Sequence, residues 1–128
     1  MTLLLDTCTF LWVTTAHSRL SARAAALIAD PANDVHVSAV TVWEIVTKYA
    51  RGRLPLPLPP DQFVPMQRER RGFRALAMEE HAVLQGIRLP ALHRDPFDRM
   101  LIAQAIAHGL AIVTPDPLVT QYPVRVVW

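Results

Sequence analysis

Four of the eleven acidic residues do not lie in polar or loop surroundings. Asp6 directly follows the apolar run "TLLL" (2–5). Glu44 sits inside "VTVWEIV", Asp98 precedes "RMLIAQAIA", and Asp116 follows "LAIVTP". A carboxylate beside a core element is destabilising unless it is paired or bound to a cation. Converging carboxylates without a Cys or His cluster suit a hard cation, because oxygen ligands select Mg²⁺ or Mn²⁺ over zinc. The chemistry that follows is phosphoryl transfer. One metal lowers the pKa of a water, which attacks phosphorus in line. The same or a second metal, about 3.5–4 Å away in two-metal sites, steadies the leaving oxygen.

The stretch "HRDPFDRMLIAQAIAHG" (93–109) holds two acids at the start of a helix pattern. Asp95 is a good N-cap, Pro96 fits the first helical position, and Asp98 falls at N3. The spacing approaches a capping box with Asp in place of Glu. Asp95 reads as the cap. For Asp98, capping and cation ligation stay open on this stretch alone. Two carboxylates three apart share a helix face and repel unless a cation lies between them. Counted with Asp6 and Asp116, Asp98 goes to ligation.

The elements that must position these residues alternate between strand and helix. Residues 2–5, 35–38, 73–78, 110–114 and 124–128 read as strands. Residues 18–30, 39–52, 61–71, 79–86 and 96–109 read as helices, and Thr7 and Cys8 start another after the first strand. "RLPLPLPP" (53–60) is a connector, because its four prolines lack donors. Alternation of this kind predicts an α/β/α sandwich with a central parallel sheet, one domain over residues 1–128. In open α/β sheets, ligands bind outside the carboxyl ends of strands, where strand order switches. Asp6 and Asp116 each follow such a strand, and Glu44 lies early in the helix after strand 35–38. The helix carrying Asp98 runs antiparallel to strand 110–114. That is expected to put Asp98 at the opposite edge unless the helix packs obliquely.

The chain has 128 residues, 52% hydrophobic and 19% charged, enough for a packed core. One cysteine excludes an internal disulfide and a Cys-based zinc cage. No apolar run is long enough for a membrane span, and "MTLLLDTC" lacks a signal-peptide pattern. These features predict a cytoplasmic protein. Net charge is only +2, yet Lys48 is the sole lysine beside twelve arginines. Arg68, Arg70, Arg71 and Arg74 cluster, either as a solvated helix face or as a polyanion contact.

"LLLDTCTFLW" (3–12), "VSAVTVWEI" (37–45), "HRDPFDRMLIAQAIAHG" (93–109) and "LAIVTPD" (110–116) together resemble the PIN-domain family, and most of all its VapC-type toxin ribonucleases. The resemblance carries the family's four acidic positions to Asp6, Glu44, Asp98 and Asp116, with Asp6, Asp98 and Asp116 as metal ligands. It carries the hydroxyl of the last motif to Thr114. It implies a Mg²⁺- or Mn²⁺-dependent endoribonuclease cutting single-stranded or loop RNA. It also implies a homodimer, and a cognate antitoxin that reaches the acidic pocket with a basic side chain. Asp95 is an extra acid found in a subset of the family.

Supporting positions carry plainer readings beside the functional ones. Thr7 either starts a helix or orients a water. Arg99 either pairs with a carboxylate or contacts RNA phosphate. Trp12 and Trp43, in apolar helix stretches, read as core. His93 lies beside the acid pair but lacks ligand spacing. A catalytically silent module that receives a basic, antitoxin-like partner is the alternative function. A phosphotransfer domain with Asp6 as nucleophile is disfavoured. Cys8 stands where the dehalogenase type has a second Asp, and Lys48 is misplaced for the receiver type.

Overall fold

The computed structural model describes residues 1–128. Strand β1 (Thr2–Leu5) leads into α1 (Thr7–Thr15) and α2 (Ala22–Ala29). Strand β2 (Asp34–Ser38) leads into α3 (Ala39–Ala50) and α4 (Pro60–Arg71). Then come β3 (Arg74–Leu76), α5 (Glu80–Gln85), a 3₁₀ turn at Gly86–Arg88, and α6 (Pro96–His108). Strand β4 (Ala111–Val113), a second 3₁₀ turn at Val119–Gln121, and β5 (Val126–Val127) close the chain.

The five strands form one sheet in the order β3-β2-β1-β4-β5, and every pairing is parallel. The expected α/β/α sandwich is therefore the observed one. Alternate side chains of β1 serve opposite faces, as strand geometry requires. Leu3 and Leu5 join Phe10, Ile28, Ile45 and Phe63 in one apolar cluster. Leu4 joins Leu101, Ile102, Leu110 and Ile112 in the other. With both faces covered, β1 and β4 are apolar throughout their paired length, as buried parallel strands are.

Strand order reverses between β1 and β4, which pair at Leu5 and Val113. The crevice beyond their carboxyl ends is the switch point where α/β sheets hold ligands. Asp6 and Thr114 are the first residues past those ends. The Thr9 hydroxyl donates to the Val113 carbonyl at 2.9 Å, tying the first turn of α1 to the end of β4.

Two expectations need correcting. The first helix after β1 is followed by a turn, so α2 begins at Ala22 rather than residue 18. Its N-cap is Ser21, whose hydroxyl accepts from Ala24 N at 3.0 Å. Trp43 is not core: it is 60% exposed. The buried positions of α3 are Val40, Thr41, Glu44 and Ile45, and that register turns residue 43 outward. Trp12 is half-buried and packs against Trp128, ring centroids 5.9 Å apart.

Helix α6 ends on Gly109, whose φ of 67° lies in the left-handed region. A Cβ there would meet no neighbour within 4 Å, so substitution strains the backbone alone. Gly109→Ala is expected to lower stability by about 1 kcal/mol. Urea unfolding checks this through a lower midpoint at an unchanged slope.

Candidate functional site

Helix α1 starts because Asp6 caps it: Asp6 Oδ1 accepts from Thr9 N at 2.9 Å. The Cys8 thiol donates to the same carboxylate at 3.3 Å. Burial, then the adjacent Asp6 charge, push that thiol well above its ordinary range, so it stays protonated. Asp6 is itself 7% exposed, a carboxylate sunk at the sheet's carboxyl edge.

Glu44 is 4% exposed and both its oxygens have partners. The Thr7 hydroxyl donates to Oε1 at 2.6 Å. The Lys48 ammonium reaches Oε2 at 2.5 Å from one turn further along α3. Thr7 thus combines two positions, one at the start of α1 and one as a donor to a buried acid. The chain's only lysine thus pairs with a buried acid of its own helix.

The two acids of α6 have separate tasks. Asp95 caps the helix, with Oδ1 accepting from Phe97 N at 2.9 Å. The capping box does not close. The Asp95 N–H donates instead to His93 Nδ1 at 3.1 Å, and this leaves Asp98 free to face the sheet edge. The expected placement of Asp98 at the far edge was wrong. A helix that precedes a parallel strand runs down toward that strand's start, so its own first turn lies at the carboxyl edge. Asp98 meets the switch point by ordinary crossover geometry, with no oblique packing needed.

Asp116 is held by the loop after β4. The Thr114 hydroxyl, 1% exposed, accepts from Asp116 N at 3.1 Å. Asp116 Oδ1 accepts from Leu118 N at 2.9 Å. Its Oδ2 is left to face His93 Nε2 at 2.8 Å, and Asp98 Oδ2 lies 3.2 Å from that same nitrogen. One ligand atom from each of His93, Asp98 and Asp116 lies within 4.8 Å of the others. Asp6 and Glu44 are not members of that group, but their charges reach it. Burial and then Asp95, with Asp6 and Glu44 behind, raise the Asp98 carboxyl to about 7, against a lowering influence from His93.

Arg99 pairs with none of these acids. Its Nη1 donates to the Pro90 carbonyl at 2.9 Å and lies 3.2 Å from Tyr122 Oη. Tyr122 Oη also accepts from His93 N at 2.7 Å. Arg99 therefore fastens the segment before α6 instead of contacting a carboxylate. The residue that sequence reasoning passed over is His93. Its partners stand 5 and 23 positions away, a spacing with no ligand pattern. The available signal was the Asp95-Pro96 start of α6, where the cap's own N–H needs an acceptor if Asp98 does not supply one.

Asp98 and Asp116 meet beside His93 at the sheet's carboxyl edge, and a family comparison bears on the fold that brings them there. The PIN domain model matches residues 3–123. The chain belongs to the PIN domain family. No curated protein matches it in sequence. Solved structures of similar fold include the VapBC2 complex of Rickettsia felis bound to a fragment of its promoter DNA. That match has a TM-score of 0.75 and 15% identity, and covers 99% of this chain and 98% of the other. The DNA-bound VapBC of Salmonella typhimurium matches at TM-score 0.68 and 16% identity, covering 99% and 97%. FitAcB of Neisseria gonorrhoeae matches at 0.64 and 21%, covering 98% and 96%. At these identities the likeness is one of fold, and it extends over the full PIN domain.

The donor set fits a hard cation. The converging side-chain atoms are mostly carboxylate oxygens, and burial with the neighbouring acids raises one carboxyl, Asp98, to about 7. No helix is long and apolar enough to cross a membrane.

Proposed function

We propose that this PIN domain is a Mg²⁺- or Mn²⁺-dependent endoribonuclease, the toxin of a cytoplasmic toxin–antitoxin pair. The observation that carries the reading is the confluence of Asp98 and Asp116 at the sheet's switch point, with the Asp98 carboxyl raised to about 7. An acid so placed gains most from an added cation. Asp6, Asp98 and Asp116 would hold the metal. When bound, it supplies a Lewis acid for hydrolysis of an RNA phosphodiester by water.

The chain's own residues do the rest. Thr114 and the Leu118 N–H fix the Asp116 carboxylate, so that Oδ2 faces the cleft. Asp95 holds the first turn of α6, which sets the depth of Asp98. Thr7 and Lys48 hold the Glu44 side chain in place beside them. The VapBC neighbours belong to a family of toxin–antitoxin systems. Likeness to these complexes supports a partner protein; in this reading the partner presents a basic side chain to the same acids, and the toxin pairs with a second copy of itself.

Asp6 offers a test that separates charge from fold. Asp6→Asn keeps an N-cap oxygen and removes the charge. It is expected to leave the melting temperature nearly unchanged and to abolish Mg²⁺-dependent cleavage of a fluorescent single-stranded RNA. Asp6→Ala is expected to lose the cap as well, at about 1 kcal/mol. An Asp6→Asn protein that cleaves as fast as the wild type would end the assignment.

A further inference from the structure

His93 is built into the site with unusual care for a residue outside the four acids. Its side chain is 10% exposed. Its backbone N–H is held by Tyr122 Oη at 2.7 Å, and Tyr122 is itself buried. Arg99 braces the same segment at Pro90 and Tyr122. Both ring nitrogens are engaged, one toward the backbone and one toward the acids.

The two contacts together settle the ring's tautomer. Asp95 N–H donates to Nδ1 at 3.1 Å, so Nδ1 presents a lone pair. The ring proton then resides on Nε2, where it points at Asp116 Oδ2 at 2.8 Å. An Nε2 that carries hydrogen has no lone pair for a metal. To become a ligand, it would have to move its proton to Nδ1, which would set two N–H groups against each other at Asp95. That would strip the helix cap's N–H of its only partner here.

We propose that His93 is a positioning residue, a hydrogen-bond clasp that holds Asp116 beside Asp98 and does not itself ligate the metal. The role rests on the nuclease reading of the site. Metal-ligating carboxylates are commonly oriented by such outer partners. Here the clasp leaves an all-oxygen site, although a histidine stands within ligand distance of two acids. That keeps the donor set suited to Mg²⁺ and Mn²⁺, because an imidazole ligand shifts preference toward later transition metals.

Three measurements on the full chain test it. In the metal-free wild type, long-range ¹H–¹⁵N NMR of the histidines is expected to show the His93 proton on Nε2. A proton on Nδ1 would overturn the clasp. In the Mn²⁺-loaded wild type, pulsed EPR is expected to show no directly bound ¹⁴N, and a bound imidazole nitrogen would overturn it as well. By calorimetry, His93→Ala is expected to weaken Mn²⁺ uptake about 10–100-fold. His93→Gln, whose amide N–H₂ falls near the Nε2 position, should restore most of that affinity. Uptake unchanged in His93→Ala, or no recovery in His93→Gln, would overturn the positioning role alone. A wild type that takes up no Mn²⁺ would overturn the metal reading, and this role with it. Should His93→Ala fail to fold, the tautomer and EPR measurements on the wild type still decide the matter.

Discussion

Asp98→Asn is expected to abolish metal-dependent RNA cleavage, by on the order of 10²–10³-fold or more, while making the metal-free protein more stable at pH 8. The two effects have one cause. Burial and the neighbouring acids Asp95, Asp6 and Glu44 raise the Asp98 carboxyl to about 7 from 3.8. A carboxyl raised in the folded state contributes no penalty at a pH below its unfolded value. The penalty grows as pH climbs from about 4 to about 7 and is complete above that. A shift of this size corresponds to about 4 kcal/mol for a fully buried acid. The Asp98 side chain is 24% exposed, and solvent screening reduces the figure to about 1–2 kcal/mol. Asparagine has nearly the same shape and no charge to desolvate. Urea unfolding at pH 8 in EDTA should therefore favour the variant by that amount, and at pH 4 the difference should shrink. Added Mg²⁺ should reverse the order, because it stabilises only the protein that binds it. A variant less stable than the wild type at pH 8 without metal would contradict this account.

The parts of the fold that could be read directly are those in which one residue type dominates a whole element. "TLLL" and "LAIVT" are apolar at every position because both faces of the sheet are covered, and each ends at an acid or its loop. The Pro-rich stretch 53–60 could be neither helix nor central strand. Harder to read were features that depend on register between elements. Trp43 lies in an apolar stretch and has a core composition, yet α3 buries positions 40, 41, 44 and 45, and a helix cannot bury every side. The edge assignment of Asp98 failed because the direction of a crossover was misjudged, not because the sequence was silent.

The site itself divides along the same line. Asp6, Asp98 and Asp116 were legible as acids next to core elements, where an unpaired charge needs a reason. The partners that organise them were not. His93, Tyr122 and Arg99 form a brace only when the loop before α6 lies against the segment after β4. Nothing in the local pattern of either segment announces that contact. Glu44 was visible as an anomalous acid, but its cation was not singled out, although Lys48 stands four residues away, one helical turn along the same face.

That pairing carries the second large effect. Lys48→Met is expected to destabilise the fold by about 1–3 kcal/mol. Breaking a fully buried pair from one side costs about 3–5 kcal/mol. Here the lysine side chain is 48% exposed and the glutamate 6%, so water can replace part of what the ammonium supplied. The Thr7 hydroxyl would remain as the only donor to Glu44. Changing Glu44 to Gln in the same chain removes the charge that needed the lysine. The double variant Glu44→Gln/Lys48→Met should therefore be more stable than Lys48→Met alone, with a coupling energy of about 1–2 kcal/mol in a double-mutant cycle. Additive effects would mean that the ion pair is a surface contact without consequence. Coupling of the expected size would mean that the pair is structural, with both Glu44 oxygens satisfied inside the protein. In the proposed reading, Asp6, Asp98 and Asp116 are then the acids left to meet a cation.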